Sequence, residues 1–200
     1  MQTFPPPTGK QENCGVTERS AESQRDDEQL DLVDEQDRVV GMVLRSDAHG
    51  DPALIHRVAH VLVFNSAGDL YLQKRSSRKD VQPGKWDTSV GGHVDLGETY
   101  HAAALRETAE ELGVTGAELT FMHKYLHRNA YESEYVSTFK LVWDGPIVFD
   151  SNEIEEGRFW RLSEIEASRT GGCFTPNFLN EFDTYGVSTG ANISSTRDLN

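Results

Sequence analysis

The sequence predicts an α+β domain, a mixed β-sheet with helices packed against it. Apolar stretches of strand length fill most of residues 38–75 and 118–143, and one strong helix pattern lies between them at 98–112. Shorter strand and helix patterns follow. Elements in this order are typical of a sheet that buries its faces under helices. A chain of 200 residues is long enough for one such domain with a proper core.

The individual elements follow from their apolar runs and turn residues. The predicted strands are RVVGMVLR (38–45), HRVAHVLVFN (56–65), LYLQKR (70–75), ELTFMHKYLH (118–127), EYVSTFKLVW (134–143) and RFWRL (158–162). The turn SAGD joins the second and third strands as a hairpin. DVQPGKWDTS (80–89) predicts a Pro/Gly loop, and the acids of NEIEEGRF predict a solvated loop. LSEIEA (162–167) and TPNFLNEF (175–182) predict small helices.

The two ends of the chain differ from this middle part. Residues 1–29 lack apolar periodicity, which predicts a disordered or tag-like segment. Residues 186–200 have the same character and predict a flexible C-terminal tail. The folded domain is therefore expected to span residues 30–185.

The composition predicts a soluble, cytoplasmic protein. No apolar run reaches the length of a membrane span, and no signal-peptide pattern opens the chain. The two cysteines, Cys14 and Cys173, lack metal-type or disulfide-framework spacing, which fits a reducing compartment. The net charge of −14 argues against nucleic acid as a partner, and a small anionic substrate would need local cations or metal. The oligomeric state is open, with a homodimer as one option.

The helix pattern at 98–112 carries an acid cluster near its end. It reads ETYHAAALRETAEEL and stops at Gly113, a natural C-cap residue. One arc of the helix is expected to face the sheet, and it consists of His101, Ala104, Leu105, Thr108 and Leu112. Glu107, Glu110 and Glu111 share a different arc, where like charges repel and oppose the helix dipole. The cluster is either a solvated acidic face or a site for a hard cation such as Mg²⁺ or Mn²⁺.

The residues before the helix favour the cation site. Gly91, Gly92 and Gly97 frame a loop that can bring backbone carbonyls and Glu98 to the same place. The run from Gly92 to Val114 is G-x5-E-x7-R-E-T-x-E-E-x-G-V. It resembles the Nudix box, the signature of hydrolases that cleave nucleoside diphosphates linked to another group, and related diphosphates. Thr108 stands where that family prefers an aliphatic residue, and it is small enough to pack there.

The resemblance implies the Nudix fold, an α-β-α sandwich with a catalytic loop and helix, and a chemistry. Glu107, Glu110 and Glu111 would hold Mg²⁺ or Mn²⁺, with the carbonyl of Gly92 as an extra ligand. Arg106 and Glu98 would pair and lock the loop to the helix. The metal would neutralise a diphosphate and lower the pKa of a bound water, which would attack phosphorus in line. The residues left open as the base that deprotonates this water are Glu107, Glu132 and Glu134.

A wider resemblance covers roughly residues 30–165. This region is similar to isopentenyl diphosphate isomerase and its Nudix relatives. The isomerase has a metal site of three histidines and two glutamates, and the matching positions are His49, His56, His93, Glu132 and Glu134. Glu132 and Glu134 are two residues apart, so on a strand they point to one face. The resemblance also implies three basic groups that grip a diphosphate, namely Arg45, Arg75 and Lys79.

Three positions depart from the isomerase. Its active-site cysteine lies in a CGH triplet, whereas here the triplet is Gly91-Gly92-His93. Glu107 and Glu110 are hydrolase acids that isomerases usually lack. The sequence therefore predicts a metal-dependent diphosphate hydrolase. Two alternatives are an isomerase that works without the usual cysteine, with Cys173 as a remote substitute, and a non-catalytic nucleotide-binding module. The sequence does not name the substrate.

Overall fold

The computed structural model describes residues 28–78, 81–149 and 154–189. Most of the predicted N-terminal segment and of the predicted C-terminal tail therefore lies outside the described residues, as do Lys79 and Glu153. The disorder of the two ends and the domain limits at residues 30 and 185 stay predictions. None of the described helices is long and apolar enough to cross a membrane.

The described part of the chain forms nine strands and four α-helices. The strands are β1 (Gln29–Val33), β2 (Val39–Leu44), β3 (Ile55–Phe64), β4 (Leu70–Arg75), β5 (Trp86–Asp87), β6 (Val90–His93), β7 (Thr120–Arg128), β8 (Ser133–Val142) and β9 (Ile154–Trp160). The helices are α1 (Arg45–Ala48), α2 (Tyr100–Leu112), α3 (Leu162–Ser168) and α4 (Pro176–Thr189), and a 3₁₀ turn covers Arg169–Gly171.

Strand β3 organises the sheet. It pairs in parallel with β8 along its whole length, from Ile55 opposite Ser133 to Phe64 opposite Val142. On its other side it pairs antiparallel with β6, with Val58 opposite His93. The remaining strands extend this centre, because β7 pairs with β8, β1 and β4 pair with the ends of β3, and β9 pairs with β4. The predicted mixed sheet is confirmed.

Helices cover both faces of the sheet, so the fold is an α-β-α sandwich. Alternate residues of β3 point to opposite faces. Ala59, Val61 and Val63 join the core under α2, which contributes Ala104 and Leu112. On the opposite face lies an aromatic core against α3 and α4, consisting of Leu62, Phe64, Leu70, Leu72, Trp86, Trp160, Ile165, Phe174, Phe178, Phe182 and Tyr185.

Helix α2 begins and ends at residues suited to those positions. Thr99 is the N-cap and accepts a hydrogen bond from the backbone N–H of Ala102 at 3.2 Å. Gly113 ends the helix in the left-handed region with φ of 65°, where a glycine is favoured. Two residues of the predicted packing arc lie elsewhere. Leu105 is only half-buried, and His101 is exposed at the rim, with its ring 5.7 Å from that of Phe139.

The predicted loops at Gly91-Gly92 and at NEIEEGRF are wrong in part. Both stretches form strands, β6 and β9, because each pairs along a neighbour that is already fixed in the sheet. Within β9, Glu155 and Glu156 are exposed, as the acids of this stretch were expected to be. Pairing with a neighbouring strand outweighs the weak intrinsic preference of glycine- and acid-rich stretches for loops.

Candidate active site

Arg106 joins helix α2 to the loop in front of it. Its Nη2 donates to Glu98 Oε2 at 2.9 Å, and its Nε donates to Glu98 Oε1 at 3.3 Å. The same Nη2 donates to the backbone carbonyl of His93 at 3.0 Å. One guanidinium therefore connects the end of β6, the loop and the helix, and Glu98 and Arg106 lie in the contact that the resemblance implies.

Glu107 faces the backbone of β6. Its Oε1 accepts a hydrogen bond from Arg106 Nη1 at 2.6 Å. A Cβ atom at Gly92 would lie only 2.0 Å from Glu107 Cδ and 2.2 Å from Oε1, so only a glycine leaves room for this carboxylate. Burial raises the pKa of Glu107, and Arg106 acts in the opposite direction. The close approach places the Gly92 backbone beside the acid.

Glu111 is the most strongly perturbed of the three helix acids. Gln73 on β4 donates to its Oε2 at 2.9 Å, and the backbone N–H of Gly91 also donates to this carboxylate. Burial, together with the nearby Glu107, raises the pKa of Glu111 to about 8. A partly buried carboxylate with a raised pKa beside a second acid is an arrangement that a bound cation stabilises.

Glu110 lies apart from the other two acids. Its side chain is 59% exposed, and it is 3.4 Å from Arg106 Nη1. In this state Arg106 offsets much of the repulsion along the helix, because it contacts Glu110 and Glu107 together. The structure thus brings two acids to the sheet and leaves the third at the surface beside them.

A histidine cluster lies on the opposite face of the sheet from α2. His56 on β3 is directly opposite Glu134 on β8, with 3.5 Å between Nε2 and Oε1. His49, which follows α1, places its Nε2 3.0 Å from that of His93. The nitrogen and oxygen atoms that could bind a metal all lie within 4.8 Å of one another in one group of side chains. Among the described residues this group consists of His49, His56, His93 and Glu134.

The donors of this cluster fit a metal ion. His56 is fully buried, and neither of its ring nitrogens makes a hydrogen bond to a described residue. Burial and the neighbouring His93 lower the pKa of His49 to about 4, which keeps that ring neutral at pH 7. Burial opposes ionisation of Glu134, but His56 lowers its pKa to about 2. Imidazole nitrogens together with a carboxylate form a typical donor set for transition metals.

Glu132 lies at the edge of the histidine cluster. Its Oε2 is 3.7 Å from His49 Nε2, which places it next to the group but not within it. Burial and the neighbouring Glu134 raise the pKa of Glu132. Glu132 lies just before β8 and Glu134 lies within it, so the predicted shared strand face is not formed, and the two carboxylates differ in their charge environment.

The basic residues are placed unequally. Arg45 is the first residue of α1. Its Nε atom is buried, lies 3.7 Å from Glu28 Oε2 and makes no hydrogen bond to a described residue. Arg75 on β4 donates to Asp87 Oδ2 and to the carbonyl of Val81, each at 3.1 Å. Both guanidinium groups are thus held by protein acceptors or acids. Lys79 lies outside the described residues.

Several site residues were not found by sequence reasoning. Gln73 and Glu28 had no motif to identify them, and they enter through the pairing of β4 and the path of the chain before β1. His60 gave a signal that could have been used. It lies four residues after His56 on a strand, so the two side chains point to the same face. Its partner Glu181 is 121 residues away on α4 and gave no signal.

Comparison with known proteins shows the family to which the chain belongs. The family model of the NUDIX domain matches residues 54–178. A Nudix hydrolase of Deinococcus radiodurans is 38% identical over 151 residues, which is 73% of this chain and 86% of the relative. An isopentenyl-diphosphate Delta-isomerase of Photorhabdus laumondii is 30% identical over 145 residues, 70% of this chain and 82% of the relative. The match to a crystal structure of a Deinococcus radiodurans protein covers 78% of this chain and 98% of the chain in that structure, with a TM-score of 0.69 and 30% sequence identity. The chain belongs to the Nudix hydrolase family.

Proposed function

We propose that this protein is a divalent-metal-dependent hydrolase that cleaves the diphosphate bond of a nucleoside diphosphate derivative or a related organic diphosphate. The observation that carries the proposal is the placement of Glu107 and Glu111. Both are held at the sheet by specific partners, Arg106 and Gln73, instead of extending into solvent as a solvated acidic face would. The acids thus retain their ordered positions despite the cost of burial and repulsion.

The residues present fit a cation at this end of α2. The absence of a side chain at Gly92 brings its backbone beside Glu107, and Glu110 lies one turn along the helix at the surface, 59% exposed. Glu107, Glu110, Glu111 and the Gly92 carbonyl would therefore hold Mg²⁺ or Mn²⁺. When bound, such ions supply charge neutralisation for a diphosphate and acidify a coordinated water.

The proton acceptor for the attacking water is one of Glu107, Glu132 and Glu134. Burial raises the pKa values of Glu107 and Glu132, so these two carboxylates accept a proton more readily. Glu134 has a low pKa and contacts His56, which suits a group that stays ionised and holds a cation. These pKa directions favour Glu107 or Glu132 as the base. Glu134 and the three histidines would form a second metal site.

The proposed substrate is a small molecule. The proposed location of the protein is the cytoplasm. A chain with net charge −14 repels polyanions such as nucleic acids. Within the site, Arg45, Arg75 and Lys79 are the proposed cations for the phosphate groups. Of the two described guanidinium groups, that of Arg45 has a nitrogen, Nε, without a hydrogen bond to a described residue, whereas Arg75 donates to Asp87 and to the carbonyl of Val81.

A second candidate is isomerisation of an isoprenoid diphosphate without a cysteine. The histidine cluster with Glu134 favours it, since the structure brings together four of the five positions that the resemblance to the isomerase implies as metal ligands. Gly91 argues against it, because this residue cannot transfer a proton. The two candidates differ in the bond that changes, which is a phosphorus–oxygen bond in hydrolysis and a carbon–hydrogen bond in isomerisation.

One experiment separates these candidates. Purified wild type and Glu111→Gln are incubated with Mg²⁺ or Mn²⁺ and a panel of nucleoside di- and triphosphates, nucleotide sugars, dinucleotides and C5 diphosphates. We expect the wild type to release phosphate or a monophosphate, and the variant to lose at least about a hundredfold in rate. A variant with the full wild-type rate would end the hydrolase proposal.

The same panel in deuterated water tests the alternative. Deuterium at carbon of the C5 diphosphate would support the isomerase, and recovery of unlabelled substrate would exclude it. Binding without turnover across the whole panel would instead indicate a nucleotide-binding module.

A further inference from the structure

A buried ion pair connects the central strand to the C-terminal helix. His60 on β3 and Glu181 on α4 face each other, with 2.9 Å between Nδ1 and Oε1. The same carboxylate oxygen accepts a hydrogen bond from Thr138 Oγ1 at 3.0 Å. Glu181 is fully buried, whereas the His60 side chain is 15% exposed. The proposed hydrolysis makes no use of this pair.

The contacts of the pair fix its charge. A buried carboxylate requires a positive partner, and an ionised Glu181 can only accept, so Nδ1 of His60 must carry a proton. Burial opposes the charge on His60, but Glu181, helped by Glu134 and Asp87, raises its pKa to about 9. His123, the other imidazole close to the pair, has its pKa lowered by burial. His60 is therefore an imidazolium at neutral pH, and its Nε2 also carries a proton.

The Nε2 edge of His60 lies over Gly91. A Cβ atom at Gly91 would lie 3.1 Å from Cδ2 and 3.2 Å from Nε2 of this ring, so the glycine makes room for that edge, and the side chain keeps 15% of its surface exposed. The backbone N–H of Gly91 is bonded to Glu111. A single residue of β6 thus separates the imidazolium from the acid site of α2. No described residue accepts a hydrogen bond from Nε2.

We infer that His60, oriented by Glu181, is a further substrate-binding residue that donates its Nε2–H to an anionic phosphate oxygen of the diphosphate. The inference rests on the proposed function, because it needs a diphosphate that is bound at the acids of α2 and reaches past Gly91, which contacts Glu111 through its backbone and His60 on the other face of the sheet. Phosphate oxygens favour charged N–H donors, and a donor already held by a carboxylate loses little freedom on binding. A purely structural ion pair would not require a charged Nε2–H that is left without an acceptor among the described residues.

Binding of methylenediphosphonate, a diphosphate that cannot be hydrolysed, tests the inference by calorimetry in Mg²⁺ or Mn²⁺. His60→Asn keeps a nitrogen near the Nδ1 position, for Glu181, and removes Nε2. Glu181→Gln keeps an acceptor for Nδ1 and removes the charge. We expect each variant to bind at least about tenfold more weakly, as is usual when a charged hydrogen bond is lost. His101→Asn on the exposed side of α2 is the matched control and should bind like the wild type.

The outcomes distinguish this inference from the function it rests on. If the wild type binds and both variants bind equally well, the role of His60 is overturned while the hydrolase proposal is retained. If the wild type binds with neither metal, the role of His60 is overturned, and the turnover assay of the wild type and Glu111→Gln decides the hydrolase proposal by itself. If a variant does not fold, ¹⁵N-histidine NMR of the Mg²⁺-loaded wild type decides the matter. The Nε2 signal of His60 should shift when the diphosphonate is added, and an unchanged signal would refute the contact.

Discussion

At the scale of single residues, two adjacent glycines have different tasks. Gly91 and Gly92 lie side by side on β6, and successive positions of a strand face opposite sides of the sheet. Gly91 leaves room for the ring of His60 on one side, and Gly92 leaves room for Glu107 on the other. The two glycines therefore make room for one functional side chain on each face of the sheet.

Replacement of Gly92 should damage activity without damaging the fold. In Gly92→Ala the new Cβ would meet the flexible end of Glu107 at 2.0 Å, so the carboxylate moves and the strand remains. We expect turnover of the best panel substrate to fall about a hundredfold, as a misplaced catalytic group commonly causes. The melting temperature should change little. Gly41→Ala on β2 is the control, because its Cβ would lie at an ordinary 3.8 Å from Leu32. Full activity in Gly92→Ala would contradict the close approach.

At the scale of elements, β3 and β6 determine where the site residues meet. Their antiparallel pairing brings His93 opposite Val58, on the same face as His56. Strand β6 was missed by sequence reasoning, because two of its four residues are glycines, and glycines favour loops. Its neighbours decide its conformation. The order of strands along a chain does not state which strands pair, so the meeting of His56, His93 and Glu134 could not be read from spacing alone.

Helix α4 is another element that depends on its packing, here on an aromatic core. Phe182 is 1% exposed and belongs to the cluster against β3 and β4, whereas Phe121 on β7 is 57% exposed. Phe182→Ala should lower the free energy of unfolding by about 3–5 kcal/mol, because it leaves a cavity. Phe121→Ala should cost less than about 1 kcal/mol. Urea denaturation measures both, and similar losses in the two variants would disprove the packing of α4.

At the scale of the whole molecule, the environment of Glu111 makes the free energy of unfolding depend on pH and on bound divalent metal. The pKa of Glu111 is about 8 in the folded protein, against 4.5 for the free side chain. Between these pH values the unfolded chain loses the proton while the folded protein keeps it. The free energy of unfolding therefore falls as pH rises through this window in the absence of metal. A bound divalent ion favours the ionised carboxylate and should oppose this loss.

This linkage predicts a stabilisation by Mg²⁺ that increases with pH. We expect the increase in urea midpoint caused by Mg²⁺ to be small near about pH 5 and larger near about pH 8, since binding to the folded state alone stabilises it. Glu111→Gln should flatten the pH dependence of the metal-free protein and weaken the response to Mg²⁺. Glu118→Gln, at an exposed position, is the control and should behave like the wild type. An equal Mg²⁺ effect at both pH values in the wild type would contradict the role of Glu111.

The sequence by itself determined the family, the mixed sheet with its helices, and the acid helix with Arg106 and Glu98. These rest on local spacing, since a helix brings positions i, i+3 and i+4 together and a box of fixed length preserves that geometry. Only the tertiary structure decided that Glu107 meets Gly92, that Gln73 holds Glu111, and that His60 pairs with Glu181 across 121 residues. Such contacts depend on strand pairing and helix docking, which residue spacing within one segment does not encode.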